Sequence, residues 1–172
     1  MLVPSHLAYG TNGVGTGSNT VTNNRIAGNQ CLDYTVNLIS DQVKYDDLVI
    51  KNYMTANGLS GYSKTTDGLY YKISKVGNPD SLITNNSGIT VNYVGKLMNG
   101  TVFDDSSVTA AIFPDLLALA SGFAEGIKLV HGGGVISLLI PSRLAYGTSG
   151  GTGIPANACL RFDISNVVVT NY

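Results

Sequence analysis

The chain has 172 residues, which is enough for one domain or for a domain and a half. Charged side chains make up 12% of it, about half the usual share, and the formal net charge is −1. This balance argues against nucleic acid or an anionic membrane surface as a partner, because both need a basic patch. No stretch is apolar for long enough to predict a transmembrane helix.

The first half of the chain predicts one loop, one strand and one helix. Residues 11–25 are mostly Gly, Thr, Asn and Ser, a composition typical of a long flexible loop. Apolar and polar residues alternate over 31–39, which is the period of a half-buried strand. Asp46 or Asp47 can cap a helix that ends at the stop signal Asn57-Gly58.

In the second half, predicted strands outnumber helices. Apolar runs and alternating patterns predict strands over 69–73, 89–94, 135–140 and 160–169. A tight turn at Asn99-Gly100 predicts a hairpin over 96–103. A short helix is expected within 114–130, because Gly126 weakens a longer one. Strands joined by hairpins rather than helical crossovers predict an antiparallel α+β domain.

One passage of the chain occurs twice. Leu2–Thr11 returns as Leu139–Thr148, and Ile26–Val36 parallels Ile154–Ile164. The second copy closes a run that begins near Asp67, whereas the first copy has almost nothing upstream of it. We therefore predict three parts: a partial repeat over 1–42, a helical connector over 43–66 and a complete domain over 67–172.

Four motifs in the region 67–172 resemble those of one known family. They lie, in order, at 91–104, 122–126, 140–147 and 153–163. Together they resemble the signatures of FKBP-type peptidyl-prolyl cis-trans isomerases. The helix before Gly68 also resembles the segment that precedes this domain in exported bacterial members. Residues 1–42 resemble the last part of a second such domain.

The resemblance implies an α+β fold in which an antiparallel sheet of five or six strands curls around one short helix, the FKBP-like half-barrel. An apolar pocket would lie between the sheet and the helix. Six residues would have catalytic roles there: Tyr93, Phe103, Asp104, Phe123, Tyr146 and Phe162. Substrate would also be bound by Ile154, by Phe113 and by the backbone N–H of Ala120, which would face the substrate carbonyl.

The implied reaction is rotation about the amide bond that precedes proline. Its barrier is about 18–20 kcal/mol, and it takes tens to hundreds of seconds without a catalyst. A dry aromatic pocket removes the water that solvates the planar, polarised amide, and fixed donors can favour the twisted form. This chemistry requires no nucleophile, metal or cofactor, and we expect none.

Three features depart from the family pattern. Phe123 stands where members usually have Trp, so we expect weakened but surviving activity. The segment 108–119 offers no Arg to pair with Asp104, and its pocket aromatic is hard to align, with Phe113 as the candidate. The loop 148–153 holds only small residues, which leaves substrate contacts at the pocket rim in doubt.

Several of these residues also have plainer interpretations. Tyr146 alone could be a half-buried tyrosine whose hydroxyl bonds to backbone, and Asp104 could be a turn or capping residue. Cys31 and Cys159 occupy matching positions of the repeat and are interpreted as small apolar residues in strands.

The first copy of the repeat is not expected to hold a site. It has counterparts of Tyr146 and Phe162, but none of Tyr93, Phe103 or Phe123. Half of a pocket cannot enclose a proline ring.

The predicted function is peptidyl-prolyl isomerisation of accessible X–Pro bonds, which would assist protein folding. The alternative is a non-catalytic peptide-binding or chaperone module on the same fold, and a third interpretation is a structural or surface-interaction protein. Expected partners are proline-containing polypeptides, and the resemblance also implies macrolide immunosuppressants as ligands. Likeness to exported bacterial members points to the periplasm or cell envelope, although no residue here shows it.

Overall fold

The chain divides into two compact units, Met1–Ser40 and Asp41–Tyr172. The computed structural model describes residues 2–4, 7–8, 28–33 and 39–170. The helix that was expected to connect two domains therefore lies in the second unit, together with the residues expected to form the complete domain. The three-part division stays a prediction, and the predicted loop at 11–25 lies outside the described residues.

The first unit contains a two-stranded antiparallel sheet. Strand β1 (Leu2–Val3) pairs with strand β2 (Leu32–Asp33) so that Val3 lies opposite Leu32. The strand predicted over 31–39 coincides with β2 at its start, and residues 34–38 lie outside the described part of the chain.

The second unit begins with helix α1 (Gln42–Ala56). Asp41 is its N-cap, and the Asp41 carboxylate accepts a hydrogen bond from the Lys44 N–H at 3.1 Å. The prediction that Asp46 or Asp47 caps this helix is wrong, because both lie inside it. The predicted stop is confirmed: the helix ends before Asn57-Gly58, where Gly58 adopts a φ of +60°.

A seven-stranded antiparallel sheet follows. Its strands are β3 (Ser63–Lys64), β4 (Tyr70–Lys75), β5 (Gly88–Leu97), β6 (Val102–Asp105), β7 (Ala111–Phe113), β8 (Val135–Ile140) and β9 (Leu160–Thr170). They are ordered β3-β4-β8-β9-β5-β6, and β7 pairs with β5 beside this path. The predicted α+β class is confirmed. The sheet exceeds five or six strands because β3 and β7, of two and three residues, are too short to show a period.

The hairpin predicted at Asn99-Gly100 is confirmed and joins β5 to β6. Gly100 has a φ of +90°, and its N–H donates to the Leu97 carbonyl at 2.9 Å. The Leu97 N–H donates in turn to the Thr101 carbonyl at 2.9 Å, which closes the turn.

The second helix is short, as its glycines predict. Helix α2 (Ser121–Ile127) starts at the Ser121-Gly122 pair and packs on β8. Gly122 and Gly126 face that strand so closely that added Cβ atoms would lie 2.4 Å from Ile140 Cγ2 and 2.5 Å from Leu138 Cδ1. No helix among the described residues is long and apolar enough to cross a membrane.

The two faces of the sheet carry different cores, since side chains alternate along each strand. On β8, Ile136, Leu138 and Ile140 join the large core around α2, whereas Leu139 faces α1 and packs with Ile50. Cys159, just before β9, lies in the smaller core; burial raises the pKa of its thiol to about 12 and keeps it protonated.

The first copy of the repeat has the same local geometry as the second. Three features agree in pairs: Val3 lies opposite Leu32 as Ile140 lies opposite Leu160; φ is 59° at Asn29 and 57° at Asn157; and N–H to carbonyl bonds of 3.0 Å join Leu7 to Pro4 and Leu144 to Pro141. Matching residues therefore form matching structure wherever both copies are described.

Candidate active site

A cavity of about 160 Å³ lies between α2 and the concave face of the sheet. Its lining comes from β5, β6, β7, β9, α2, the two residues before α2 and the turn after β8: Tyr93, Phe103, Asp104, Phe113, Leu119, Ala120, Phe123, Tyr146 and Phe162. Residues that are far apart in sequence meet here because β5 pairs with β6, β7 and β9.

Aromatic rings form the walls of the cavity. Phe123 of α2 meets Phe162 edge-on at 5.2 Å between ring centroids and meets Tyr93 at 5.9 Å. Phe103 meets Phe162 at 5.6 Å, and Phe113 meets Phe123 at 6.0 Å. Edge-to-face pairs at these separations are favourable beyond their burial, so the rings hold one another in place.

Gly95 on β5 makes room for two of these rings. A Cβ at this position would lie 2.8 Å from Phe103 Cζ and 3.1 Å from Phe162 Cε1. Real Cβ atoms essentially never approach as closely as 2.8 Å, so any side chain at Gly95 would displace the Phe103 ring and crowd the Phe162 ring.

The polar part of the lining is a tyrosine–carboxylate pair. The Tyr93 hydroxyl donates to Asp104 Oδ2 at 2.5 Å. Burial of Tyr93, together with its hydrogen bond to Asp104 and the charge of that carboxylate, raises the tyrosine pKa above its usual value of about 10. Tyr93 is therefore a neutral donor at physiological pH. Among the described residues, Asp104 takes part in no ion pair.

Tyr146 stands at the mouth of the cavity and is 45% exposed. It lies between two 3₁₀ turns, Ser142–Leu144 and Gly147–Ser149. Its ring rests against Gly151, where an added Cβ would lie 3.4 Å from Tyr146 Cδ1. The small residues of this loop thus leave one side of the ring open to solvent.

Of the predicted site residues, Ile154 alone does not line the cavity. It is 7% exposed and packs in the large core, where it pairs with Gly151 through two backbone hydrogen bonds of 2.8 and 2.9 Å. Leu119 lines the cavity although the sequence did not single it out. The available signal was its place directly before Ala120, the N-cap of α2.

The lining can hold a small apolar ring against its aromatic side chains. Its polar side chains are the Tyr93–Asp104 pair and Tyr146. Such a site fits a ligand that is mostly apolar and carries one or two hydrogen-bonding groups.

A family comparison supplies the decisive observation. Residues 80–166, half of the chain, match the model of the FKBP-type peptidyl-prolyl cis-trans isomerase family. The chain belongs to the FKBP family. The matched residues include every lining residue of the cavity.

Individual relatives agree with this assignment. The chain is 41% identical over 114 residues to an FKBP-type isomerase, FkpA, of Buchnera aphidicola subsp. Schizaphis graminum, covering 66% of this chain and 45% of the relative. It is 35% identical over 105 residues to FkpA of Escherichia coli, covering 60% of this chain and 38% of the relative. The chain thus spans about half the length, or less, of the curated relatives that it matches.

Solved structures show the same FKBP fold. A crystal structure of FkpA from Escherichia coli superimposes with a TM-score of 0.64 at 29% identity, covering 75% of this chain and 63% of that one. A peptidyl-prolyl cis-trans isomerase of Pseudomonas syringae pv. tomato gives a TM-score of 0.64 at 25% identity, covering 80% of this chain and 100% of that one. The predicted FKBP-like half-barrel is confirmed.

Proposed function

We propose that this FKBP-family chain catalyses cis-trans isomerisation of X–Pro bonds in the cavity between α2 and the sheet. The observation that carries the proposal is the ring of aromatic side chains around a cavity of about 160 Å³. A pyrrolidine ring has the size and apolar character that such a cavity accepts.

Catalysis would follow from removing water and from a few fixed donors. The planar X–Pro amide is polarised and well solvated, so transfer into an apolar cavity disfavours it relative to the twisted form. We assign the walls to Phe103, Phe123 and Phe162. Ala120 would offer its backbone N–H to the substrate carbonyl, and the Tyr146 hydroxyl would lie at the entrance.

We assign supporting roles to the remaining residues of the proposed site. Phe113 would complete the wall opposite Phe162, and the Tyr93–Asp104 pair would present a fixed polar edge. Ile154 would act from the core, by holding the loop behind Tyr146, rather than by touching substrate. No step in this scheme needs a metal or a cofactor.

The proposed substrates are accessible X–Pro bonds in unfolded or extended chains, and the proposed role is assistance to folding. A macrolide immunosuppressant would bind in the same cavity and compete with peptide. Bacterial relatives named FkpA support a periplasmic or cell-envelope location, which we propose as the site of action.

An alternative function is peptide binding without catalysis. The exposed Tyr146 and the small residues of the loop 148–153 support it, because they leave the cavity mouth wide. Phe123, which stands where a larger ring is usual, would also contact a bound proline less extensively and so would favour binding without catalysis.

For residues 1–42 we propose the C-terminal part of a second FKBP-like domain. Support comes from the register shared by the β1–β2 and β8–β9 pairs and from the left-handed backbone at Asn29 and Asn157. Neither observation implies a second site, since the aromatics of β5 and α2 have no counterpart in 1–42.

A protease-coupled isomerisation assay on a short X–Pro peptide tests the enzyme proposal. The 172-residue chain should accelerate the reaction, and Tyr146→Ala should reduce kcat/KM by about 10- to 100-fold through lost substrate positioning. Tyr45→Ala is the matched control, because Tyr45 is similarly exposed, at 39%, but lies on α1 away from the cavity. It should retain the activity of the unaltered chain.

The same samples separate the two functions. A folded chain that does not accelerate isomerisation, yet binds the peptide in a titration that a macrolide reverses, would replace catalysis with peptide binding. If Tyr146→Ala and Tyr45→Ala lose activity and peptide affinity equally, the cavity is not the site of catalysis or of peptide binding.

A further inference from the structure

A buried carboxylate outside the cavity contacts the turn that leads into it. Asp46 of α1 is 1% exposed, and its Oδ2 accepts hydrogen bonds from Ser142 N at 2.9 Å and from Ser142 Oγ at 2.7 Å. Its other oxygen, Oδ1, accepts from Gln42 Nε2 at 2.7 Å. Both carboxylate oxygens are therefore satisfied, and one of them is directed wholly at a single residue.

Ser142 is the first residue of the short chain segment that ends in Tyr146. The turn is closed by two backbone bonds, from Leu144 N to the Pro141 carbonyl and from Ala145 N to the Ser142 carbonyl, each 3.0 Å long. Ser142 is itself 1% exposed. Because these bonds make the turn compact, a shift of Ser142 would displace the whole turn, including Tyr146 at its end.

Adhesion of α1 to the sheet does not explain the carboxylate. Ile50 already packs the helix on Tyr70 and Leu139, and the neighbouring Asp47 bonds to Tyr70 Oη at 2.7 Å. A buried carboxylate is costly unless it is fully hydrogen-bonded, and an apolar residue would join α1 to the sheet without that cost. What Asp46 adds is a directional, two-point contact to the start of the Tyr146 turn.

We propose that Asp46 is a positioning residue, which holds the Pro141–Tyr146 turn and so fixes the Tyr146 ring at the cavity mouth. This inference rests on the proposed function only when the effect of Asp46 is measured as isomerase activity, and not when the position of Tyr146 is measured directly. It makes helix α1, which lies outside the family match at 80–166, a working part of the site.

The test compares two adjacent carboxylates of one helix. Asp46→Ala should lower kcat/KM by about 10-fold through misplacement of Tyr146, and Asp46→Asn, which keeps one acceptor for Ser142, should recover part of the loss. Asp47→Ala removes the neighbouring carboxylate of the same helix, which bonds to Lys51, Lys64 and Tyr70 and makes no hydrogen bond to Ser142, and it should leave kcat/KM near that of the unaltered chain. Ser142→Ala, which keeps the N–H bond, should fall between them.

A second readout does not depend on catalysis. In a chain labelled with ¹³C on its tyrosine rings, the Tyr146 signal is identified by its loss in Tyr146→Phe. We expect Asp46→Ala, which removes both bonds to Ser142, to shift this signal and Asp47→Ala to leave it in place. Folding of each variant is checked by its urea-unfolding midpoint.

The outcomes are distinct. If the Tyr146 signal is unchanged in the Asp46 variant, the positioning role is wrong, whatever the effect on activity. A signal that follows Asp46 in a chain without isomerase activity supports positioning and rejects the proposed function. Equal activity losses in Asp46→Ala and Asp47→Ala would also count against the proposal, because they would indicate loosening of the whole helix.

Discussion

The two helices of the second unit are held on the sheet by different physics. Helix α2 packs on the concave face through glycines and aromatic rings, with Gly122 and Gly126 in contact with β8 and Phe123 among the cavity rings. Helix α1 packs on the opposite face through buried Ile50, with partly buried apolar side chains beside it, and through the bond from Tyr70 to Asp47, while Asp46 bonds to the turn after β8.

This difference explains why the cavity lies on only one face. Close backbone approach of a seven-residue helix leaves space for rings to line a void, and those rings need no charge to stay in place. Ionic and hydrogen-bonded contacts join individual atoms, so α1 can fix the position of the turn that begins at Ser142 without forming a cavity. Apolar packing builds the site, and directed polar contacts adjust it.

The contact between α2 and β8 is where a single methyl group should do the most damage. In Gly122→Ala the new Cβ would lie 2.4 Å from Ile140 Cγ2, in a fully buried position. We expect a net loss of about 1–3 kcal/mol in the free energy of unfolding, since overpacking outweighs the better helix propensity of Ala. Urea unfolding measures it.

The control for Gly122→Ala places the same alanine in α1. Asn52 is exposed on that helix, so Asn52→Ala should leave the stability unchanged or raise it by a few tenths of a kcal/mol. If both variants lose stability equally, close packing does not distinguish the two helices.

Local signals in the sequence predicted those elements that local chemistry determines. Asn99-Gly100 forms its hairpin turn between β5 and β6, and the run 135–140 forms a strand in which no residue is exposed. Asp46 and Asp47 suggested a helix start because they precede an apolar run. Besides the local partners Gln42 and Lys51, these carboxylates bond to Ser142 and Tyr70, which are distant in sequence and which no local pattern reveals.

The cavity lining shows the same limit. Tyr93 and Phe162 were expected there through family motifs and do line it. Ile154 was expected beside them, but the bridge between Gly151 and Ile154 turns its side chain into the core. Leu119 was not expected, because its segment forms part of the wall only after β7 has paired with β5.

The ionic attachment of α1 should weaken in acid, whereas the packing of α2 should not. Hydrogen bonds from Lys51, Lys64 and Tyr70 hold the pKa of Asp47 well below its usual range. Because the folded pKa is depressed, the stabilisation is complete above the unfolded value of about 4, begins to decrease below it, and is lost as the pH falls through the lower folded pKa. We expect about 1 kcal/mol, since the lysines are solvent-exposed.

Urea unfolding at pH 7, 4 and 3 measures this contribution. Asp47→Asn should be less stable than the unaltered chain at pH 7, and the difference should shrink as the pH falls. Asp80→Asn, which removes an exposed carboxylate from a turn outside α1, is measured beside it as the control. A gap between Asp47→Asn and the unaltered chain that is as large at pH 3 as at pH 7 would show that the carboxylate charge is not what attaches α1.

The smallest expected effect concerns the floor of the cavity, where α2 contributes Phe123. Its ring touches Tyr93, Phe113 and Phe162 at centroid distances of 5.2 to 6.0 Å and borders the void of about 160 Å³. Phe123→Trp should extend the apolar floor into that void and raise kcat/KM by about 2- to 5-fold, because less water would remain around a bound proline. Phe123→Leu, which removes the ring, should lower it. If kcat/KM rises in the order Leu, Phe, Trp at position 123, the area of this ring limits the reaction. A Trp variant slower than the unaltered chain would show instead that Phe123 and its neighbours Tyr93, Phe113 and Phe162 already fill their space, so that Phe123 does not weaken the activity.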